Sequence, residues 1–327
     1  MTATELLPWR PSPKPNELFS SWLRRLALGN SGKIQTFCHL LWPGRQLWNR
    51  DTDAIAPAEV LLSLASRTGR NIALLEKTTL RAFEGIVFEH VRVKVATRWV
   101  LPLGVYHRTR RLGGQQWCPV CLREDAHPYY RLDWRLAFST SCSKHGIMLH
   151  DRCTYCGEPA VPHRGVDPEC HQCGFDRRKS PVTFGDSRAL QLEHTMRAVA
   201  YGTGTLPPPL RDLHPLAYFD LLRQVFSIVS SNPRSARLRE TVTRHSGGDP
   251  SPPTRSTKSS AFENLSTSDR HRMIAIGACL LEGWPFNFIG LCAEAGMWKS
   301  WAMRGDQRHI PFRYADPVAT YLAPTLP

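Results

Sequence analysis

The sequence predicts a mainly α protein with a small zinc-binding module in its middle. Three observations carry that expectation. Apolar residues recur at helical spacing on both sides of a central segment. Seven of the ten cysteines crowd between Cys118 and Cys173, six in pairs separated by two residues and Cys142 at the same spacing from His145. Around them, glycine breaks and one short alternating stretch leave room only for short β-strands. The expected layout is an N-terminal helix-turn-helix region at 1–112 and a tandem zinc-knuckle module at 113–184. A helical region at 185–230, a flexible linker at 231–258 and a C-terminal helical domain at 259–327 follow.

The N-terminal elements follow in order. Pro8, Pro11, Pro13 and Pro15 make an extended lead-in. Asn16 is placed to cap a helix from Glu17 to Leu28, with Leu18, Phe19, Trp22, Leu23 and Leu26 on one face and Gly29 ending it. A second helix is expected from Lys33 to Leu41, stopping at Pro43, and Pro57 starts a third. Between Val60 and Leu80 the pattern is that of a helix-turn-helix or an ordinary helical hairpin. Ala65 is small where two helices would cross, and Gly69 can take positive φ. If the second helix (Ile72 to Arg81) reads DNA, its candidate contacts are Asn71, Lys77 and Arg81. From Ile86 to Trp99 apolar and charged residues alternate, which predicts a strand with a basic face.

Beyond the cysteines, helices are expected at Ser187 to Ala200 and Leu216 to Ser230. Residues 231–258 lack apolar spacing and read as a mobile linker. Helical spacing resumes from Phe262 through Ile274, Cys279, Leu281, Phe288 and Leu291. Trp284, Phe288, Trp298 and Trp301 serve either a small core or a partner contact.

Composition narrows the function. Lys and Arg total 42 against 28 Asp and Glu, a net charge of +14, which points to a polyanionic partner, nucleic acid first. No membrane span is expected, because the most apolar stretch, Met273 to Ala293, is broken by Glu282, Gly283, Pro285 and Asn287. The N-terminus carries Glu5 and no positive flank, so no signal peptide is expected. The expected compartment is therefore cytoplasmic and reducing, where cysteines bind metal more often than they form disulfides.

The cysteines pair as Cys118/Cys121, Cys142/His145, Cys153/Cys156 and Cys170/Cys173. A two-residue gap lets one tight turn aim two ligands at one tetrahedral ion, and two turns complete the shell. Sequential pairing gives two Zn²⁺ per chain: one held by Cys118, Cys121, Cys142 and His145, the other by Cys153, Cys156, Cys170 and Cys173. Interleaved pairing is the main alternative, with His127, His163 and His171 as spare donors; a disulfide framework and an iron–sulfur cluster are poorer fits. Shells of four protein ligands leave no open position for a catalytic water. Cys38, Cys279 and Cys292 lie among apolar residues and read as buried thiols.

Catalytic signatures are missing from the sequence: there is no phosphate-binding loop, nucleophile elbow or dinucleotide turn. Glu124, Asp125 and Asp133 read as surface partners of Arg123, Arg131 and Arg135 rather than as a nuclease triad. Two basic clusters flank the knuckles, Arg108, Arg110 and Arg111 before them and Arg177, Arg178 and Lys179 after. They are either phosphate contacts or solvated surface.

These residues resemble a known family. The stretch from Pro15 to Ala27 (PNELFSSWLRRLA), the run Trp117-Cys118-Pro119-Val120-Cys121-Leu122, the segment Tyr130-Arg131-Leu132-Asp133-Trp134-Arg135 and the segment Cys142-Ser143-Lys144-His145-Gly146 are similar to the signature of TniQ proteins of Tn7-like and Tn5053-like transposons. The similarity covers roughly Leu7 to Phe184 and weakens beyond. The resemblance implies a bacterial, non-catalytic adapter in DNA transposition. It would link a target-recognition module to the AAA+ ATPase that recruits the transposase. In CRISPR-associated transposons that module is a guide-RNA effector complex, and the adapter is in some cases a homodimer. Such a role would make the protein RNA-binding or DNA-binding and place it at the nucleoid. The alternative within the family is a DNA-binding target selector that recognises an attachment site directly.

Overall fold

The computed structural model describes residues 5–30, 32–92, 95–107, 109–161, 163–164, 168–231, 235–254, 261–304 and 309–324. The chain is mainly helical, as expected, and divides into two units. The first comprises residues 1–84, 90–139 and 149–183; the second comprises 85–89, 140–148 and 184–327.

In the first unit, α1 (Phe19–Asn30), α2 (Ile34–Leu41) and α3 (Ala58–Thr68) bury Phe19, Trp22, Leu23, Leu26, Phe37, Val60, Leu61 and Leu64 in one core. The start of α1 departs from expectation. Asn16 sits at φ +55° and donates its side-chain amide to Asp133 Oδ1 (2.7 Å), so it does not cap the helix. The free N–H groups of the first turn instead donate to Thr78 O (from Phe19, 2.8 Å) and Asp53 Oδ1 (from Ser20, 2.7 Å). Gly29 lies inside α1 rather than ending it. A Cβ there would stand 2.2 Å from the Trp9 ring, so the glycine admits the Pro-rich lead-in. Asn30 fixes that strap by bonding both the N–H (3.2 Å) and the O (2.7 Å) of Trp9.

Gly69 closes α3 at φ +65°, giving its N–H to Ala65 O as the turn requires. The next helix, α4 (Ile72–Glu76), is a single turn and not the ten-residue helix expected. It stops early because the chain must turn to bring Leu80 N–H to Asp53 O (2.8 Å) and bury Leu80 and Phe83. The described residues between Ile86 and Trp99 form no strand. Val91 N–H donates to the Glu84 carboxylate (2.7 Å) and Arg92 N–H to the Thr97 hydroxyl (2.8 Å), so side chains take the bonds a ladder would use. Among the described residues, β1 (Val105–Tyr106) and β2 (Thr109–Arg110) form a short hairpin in antiparallel register. Helix α5 (Pro119–Glu124) follows.

The second unit holds α6 (Ser187–Ala200) and α7 (Pro215–Ser230), at the predicted positions to within one residue. It continues with α8 (Ala236–Ser246), α9 (Thr267–Leu281), α10 (Phe286–Glu294), α11 (Lys299–Ala302) and α12 (Phe312–Tyr321). Two expectations are corrected here. The supposed linker contains α8, which buries Leu238 and Val242; its apolar residues are too few to signal a helix without the neighbours they pack on. The C-terminal helices are also not a separate domain. Phe226 of α7 stacks on Phe262 (5.2 Å) and lies where a Cβ on Gly277 of α9 would be (2.5 Å), and Gln224 donates to Ala302 O (3.1 Å). Trp284, Phe288 and Trp301 are buried in this core, which settles them as packing residues.

Candidate metal centres

The knuckles are built by one turn used three times. In Cys142–Gly146, Cys153–Gly157 and Cys170–Gly174 the closing glycine has φ of +64°, +76° and +71°. Its N–H donates back to the first cysteine's carbonyl at 2.9, 2.8 and 2.9 Å. The first cysteine's own N–H pairs with the carbonyl of Ile147, Glu158 or Phe175, each at 2.8 Å. Positive φ is the conformation only glycine adopts without strain, which explains why each repeat ends in one. The fourth pair is made differently. Cys118 is the N-cap of α5 with Pro119 at the first helical position, and Cys121 N–H points at Cys118 Sγ (3.4 Å).

These turns gather two groups of donors. One ligand atom each from Cys118, Cys121, Cys142 and His145 lies within 4.8 Å of the others, and the same holds for Cys153, Cys156, Cys170 and Cys173. The grouping is sequential, not interleaved. In the second group Cys153 Sγ stands 3.7 Å from Cys173 Sγ, and Cys156 Sγ 3.7 Å from Cys170 Sγ. Burial works against the Cys170 thiolate, but N–H groups of Cys173 and Gln172 outweigh it and bring the thiol down to about 7. Four soft donors at tetrahedral spacing suit a metal ion with no vacant position, so the eight residues could hold two ions. The spare donors lie elsewhere: His163 is buried and stacked on Trp48 at 4.9 Å.

The basic residues flanking the knuckles do not form two uniform patches. Arg108 lies outside the described residues. Arg110 is buried, facing inward from β2, and cannot offer its guanidinium to a phosphate as expected; burial lowers its pKa to about 10. Arg177 is also buried, with its guanidinium over the Trp117 ring (5.2 Å) and bonded to Glu169 O (3.1 Å). Arg178 is exposed but gripped by Asp176 (2.9 Å), while Lys179 and Arg111 are exposed. Asn71 is exposed, but its side chain caps α4 through Ala73 N–H (2.8 Å); Lys77 and Arg81 are exposed just beyond.

The sequence reading missed a buried charge network in the first unit. Arg135 bonds Asp51 (2.6 Å), Asp53 (3.1 Å) and Leu101 O (3.0 Å), and Asp53 in turn holds the Ser20 hydroxyl (3.0 Å). Arg135 was expected at the surface; Asp125 pairs with Arg131 (2.7 Å), as anticipated. Burial opposes the Asp51 charge, but the Arg135 guanidinium outweighs it and holds the carboxyl below its ordinary value. At Asp53 burial prevails over Arg135 and pushes the carboxyl up. The only sequence signal was two acids, Asp51 and Asp53, bracketing one residue next to an apolar run. Cys38, Cys279 and Cys292 are buried thiols, as expected.

The helical scaffold carries two groups of four donors, each of which could hold a metal ion. Residues 8–149 match the family model for TniQ, and the chain carries a TniQ domain over that span. No curated protein matches the chain. The TniQ domain marks a transposition-associated target-selection protein.

Proposed function

We propose that the protein is a non-catalytic adapter in DNA transposition, joining a target-recognition module to the AAA+ ATPase that recruits the transposase. The observation that supports it most is the TniQ domain joined to two closed donor sets, which hold structure and leave no coordination site for substrate. The target-recognition module in this reading is a guide-RNA effector complex of the CRISPR type. Zn²⁺ is the metal the donors favour, since thiolate and imidazole at tetrahedral spacing suit it. Direct reading of an attachment site is the weaker alternative, because α4 is one turn long and Asn71 is occupied as its cap.

The core positions of Trp284, Phe288 and Trp301 move the proposed ATPase contact to exposed aromatics of the second unit: Phe286, Phe312 and Tyr321. The test uses the full chain, immobilised, with the purified ATPase plus ATP and, separately, the target-recognition complex. Binding of both, with ATPase binding lost in a Phe286→Ser, Phe312→Ser double variant, supports the reading. Failure to bind either body, or cleavage of DNA by the chain alone, overturns it.

A further inference from the structure

The most exposed aromatic rings of the first unit are not scattered. They lie along one chain of contacts that runs from the β-hairpin to the second knuckle. Val105 and Arg110 share one face of the hairpin, and Arg110 is buried. Tyr106 and Thr109 therefore take the opposite face, where Tyr106 is 55% exposed. The guanidinium of Arg111 lies over the Tyr106 ring at 4.4 Å. Arg152 then donates to Arg111 O (3.1 Å) and to Gly157 O (3.1 Å), tying the hairpin to the Cys153–Gly157 turn. On that turn Tyr155 is 78% exposed and lies parallel to Phe175 (6.3 Å, 7°).

We propose that Tyr106, Arg111, Arg152 and Tyr155 form a binding stripe for single-stranded nucleic acid. Tyr106 is steadied by Arg111 and by the edge contact of His107 (4.3 Å), Tyr155 by Phe175, and both rings leave much of their surface open to a base. The arginines between them supply the charge that tracks a phosphate backbone. Arg111 and Arg152 are exposed, whereas Asp151 and Glu158, the nearest acids in sequence, are half-buried. Stacking on open rings needs bases freed from a duplex, so the occupant is a single strand and not a double helix. This rests on the reading that the protein works at a nucleic-acid target.

The experiment measures fluorescence anisotropy of labelled 12-mers of oligo-dT, oligo-U and a mixed-sequence duplex with the full-length, metal-loaded chain, at several salt concentrations. Single strands are expected to bind more tightly than the duplex, and the dT and U arms show whether DNA or RNA is preferred. Tyr106→Ala and Tyr155→Ala should each weaken single-strand binding by roughly tenfold with no change in salt slope. Tyr106→Phe should restore it. Arg111→Gln and Arg152→Gln should each lower the slope of log affinity against log salt by about 0.7. Metal content and far-ultraviolet circular dichroism of each variant report folding. Folded tyrosine variants that bind single strands like the parent, or a parent that prefers the duplex, overturn the stripe. Neither result touches the adapter reading, which stands or falls on the binding of the ATPase and the target-recognition complex.

Discussion

Replacing Arg135 with Met should destabilise the first unit severely. The Arg135 side chain is fully buried, and it faces Asp51 at 2.6 Å and Asp53 at 3.1 Å. Removing it takes the hydrogen-bonded cation from two acids, one of them, Asp53, fully buried, and leaves only the charge of Arg110 acting on both. Breaking a buried pair on one side costs about 3–5 kcal/mol, because the remaining charge stays desolvated. The loss of the bond to Leu101 O adds to this. With a urea slope of about 2 kcal/mol/M, the unfolding midpoint should fall by about 2 M. Urea titration followed by tryptophan fluorescence measures it, since Trp22, Trp48 and Trp99 are buried in this unit. The sign of the pH dependence is also fixed. Without Arg135 the folded-state pKa of Asp53 rises further above its unfolded value, so the variant regains stability as pH falls from 7 toward 4. Adding Asp53→Asn to Arg135→Met should recover part of the loss. A midpoint shift under about 0.5 M, or a double variant no better than the single, would refute the assignment of this network as a buried ionic support.

Other expectations concern metal, pH and packing. Plasma emission on the purified chain should find two zinc ions, and Cys156→Ser should lower this to one while leaving the Cys118 group loaded. Glu193 is buried; burial opposes its charge, but hydrogen bonding to His271, the charge of Arg197 and the Ser141 hydroxyl outweigh it and hold its carboxyl below the ordinary 4.5. A depressed carboxyl contributes stability that is present above the unfolded value and lost as pH falls through the folded one. Thermal melts should therefore show the second unit weakening below about pH 4.5, and Glu193→Gln should flatten that limb; an unchanged limb would count against it. Gly277→Ala should lower stability by about 1–3 kcal/mol in chemical denaturation, because its methyl would stand 2.5 Å from the Phe226 ring.

The two four-donor groups were legible in the sequence because their geometry is local. A two-residue gap and a following glycine describe one turn, and the turn needs nothing distant to define it. Helices α6 and α7 were legible for a similar reason, since their apolar spacing and their Asp186 and His214 caps are all within the segment. What failed was what depends on distant partners. Asn16 looks like a cap until Thr78 and Asp53 are seen to do that work. Arg110 and Arg135 look like surface cations until the acids at Asp51 and Asp53 fold beside them. Helix α8 is polar by composition and is helical because α9 and α10 give its few apolar residues somewhere to pack. The α4 helix was drawn too long because periodicity does not reveal that the backbone must leave to reach Asp53.

The second unit takes residues 140–148 from well before its main run, and this sets an order for events on the ribosome. Thr140 and Ser141 bond to Glu193, and the Thr140 partner is 53 residues further along the chain. Thr140 also meets His271, 131 residues later. At roughly 5–20 residues per second, Thr140 waits on the order of ten seconds between its own synthesis and that of its last partner. During that interval the polar cluster is half-assembled, with the Glu193 carboxylate lacking the imidazole beside it. The nascent chain therefore passes through a window in which the segment carrying Cys142 and His145 is made but its surroundings in the second unit are not.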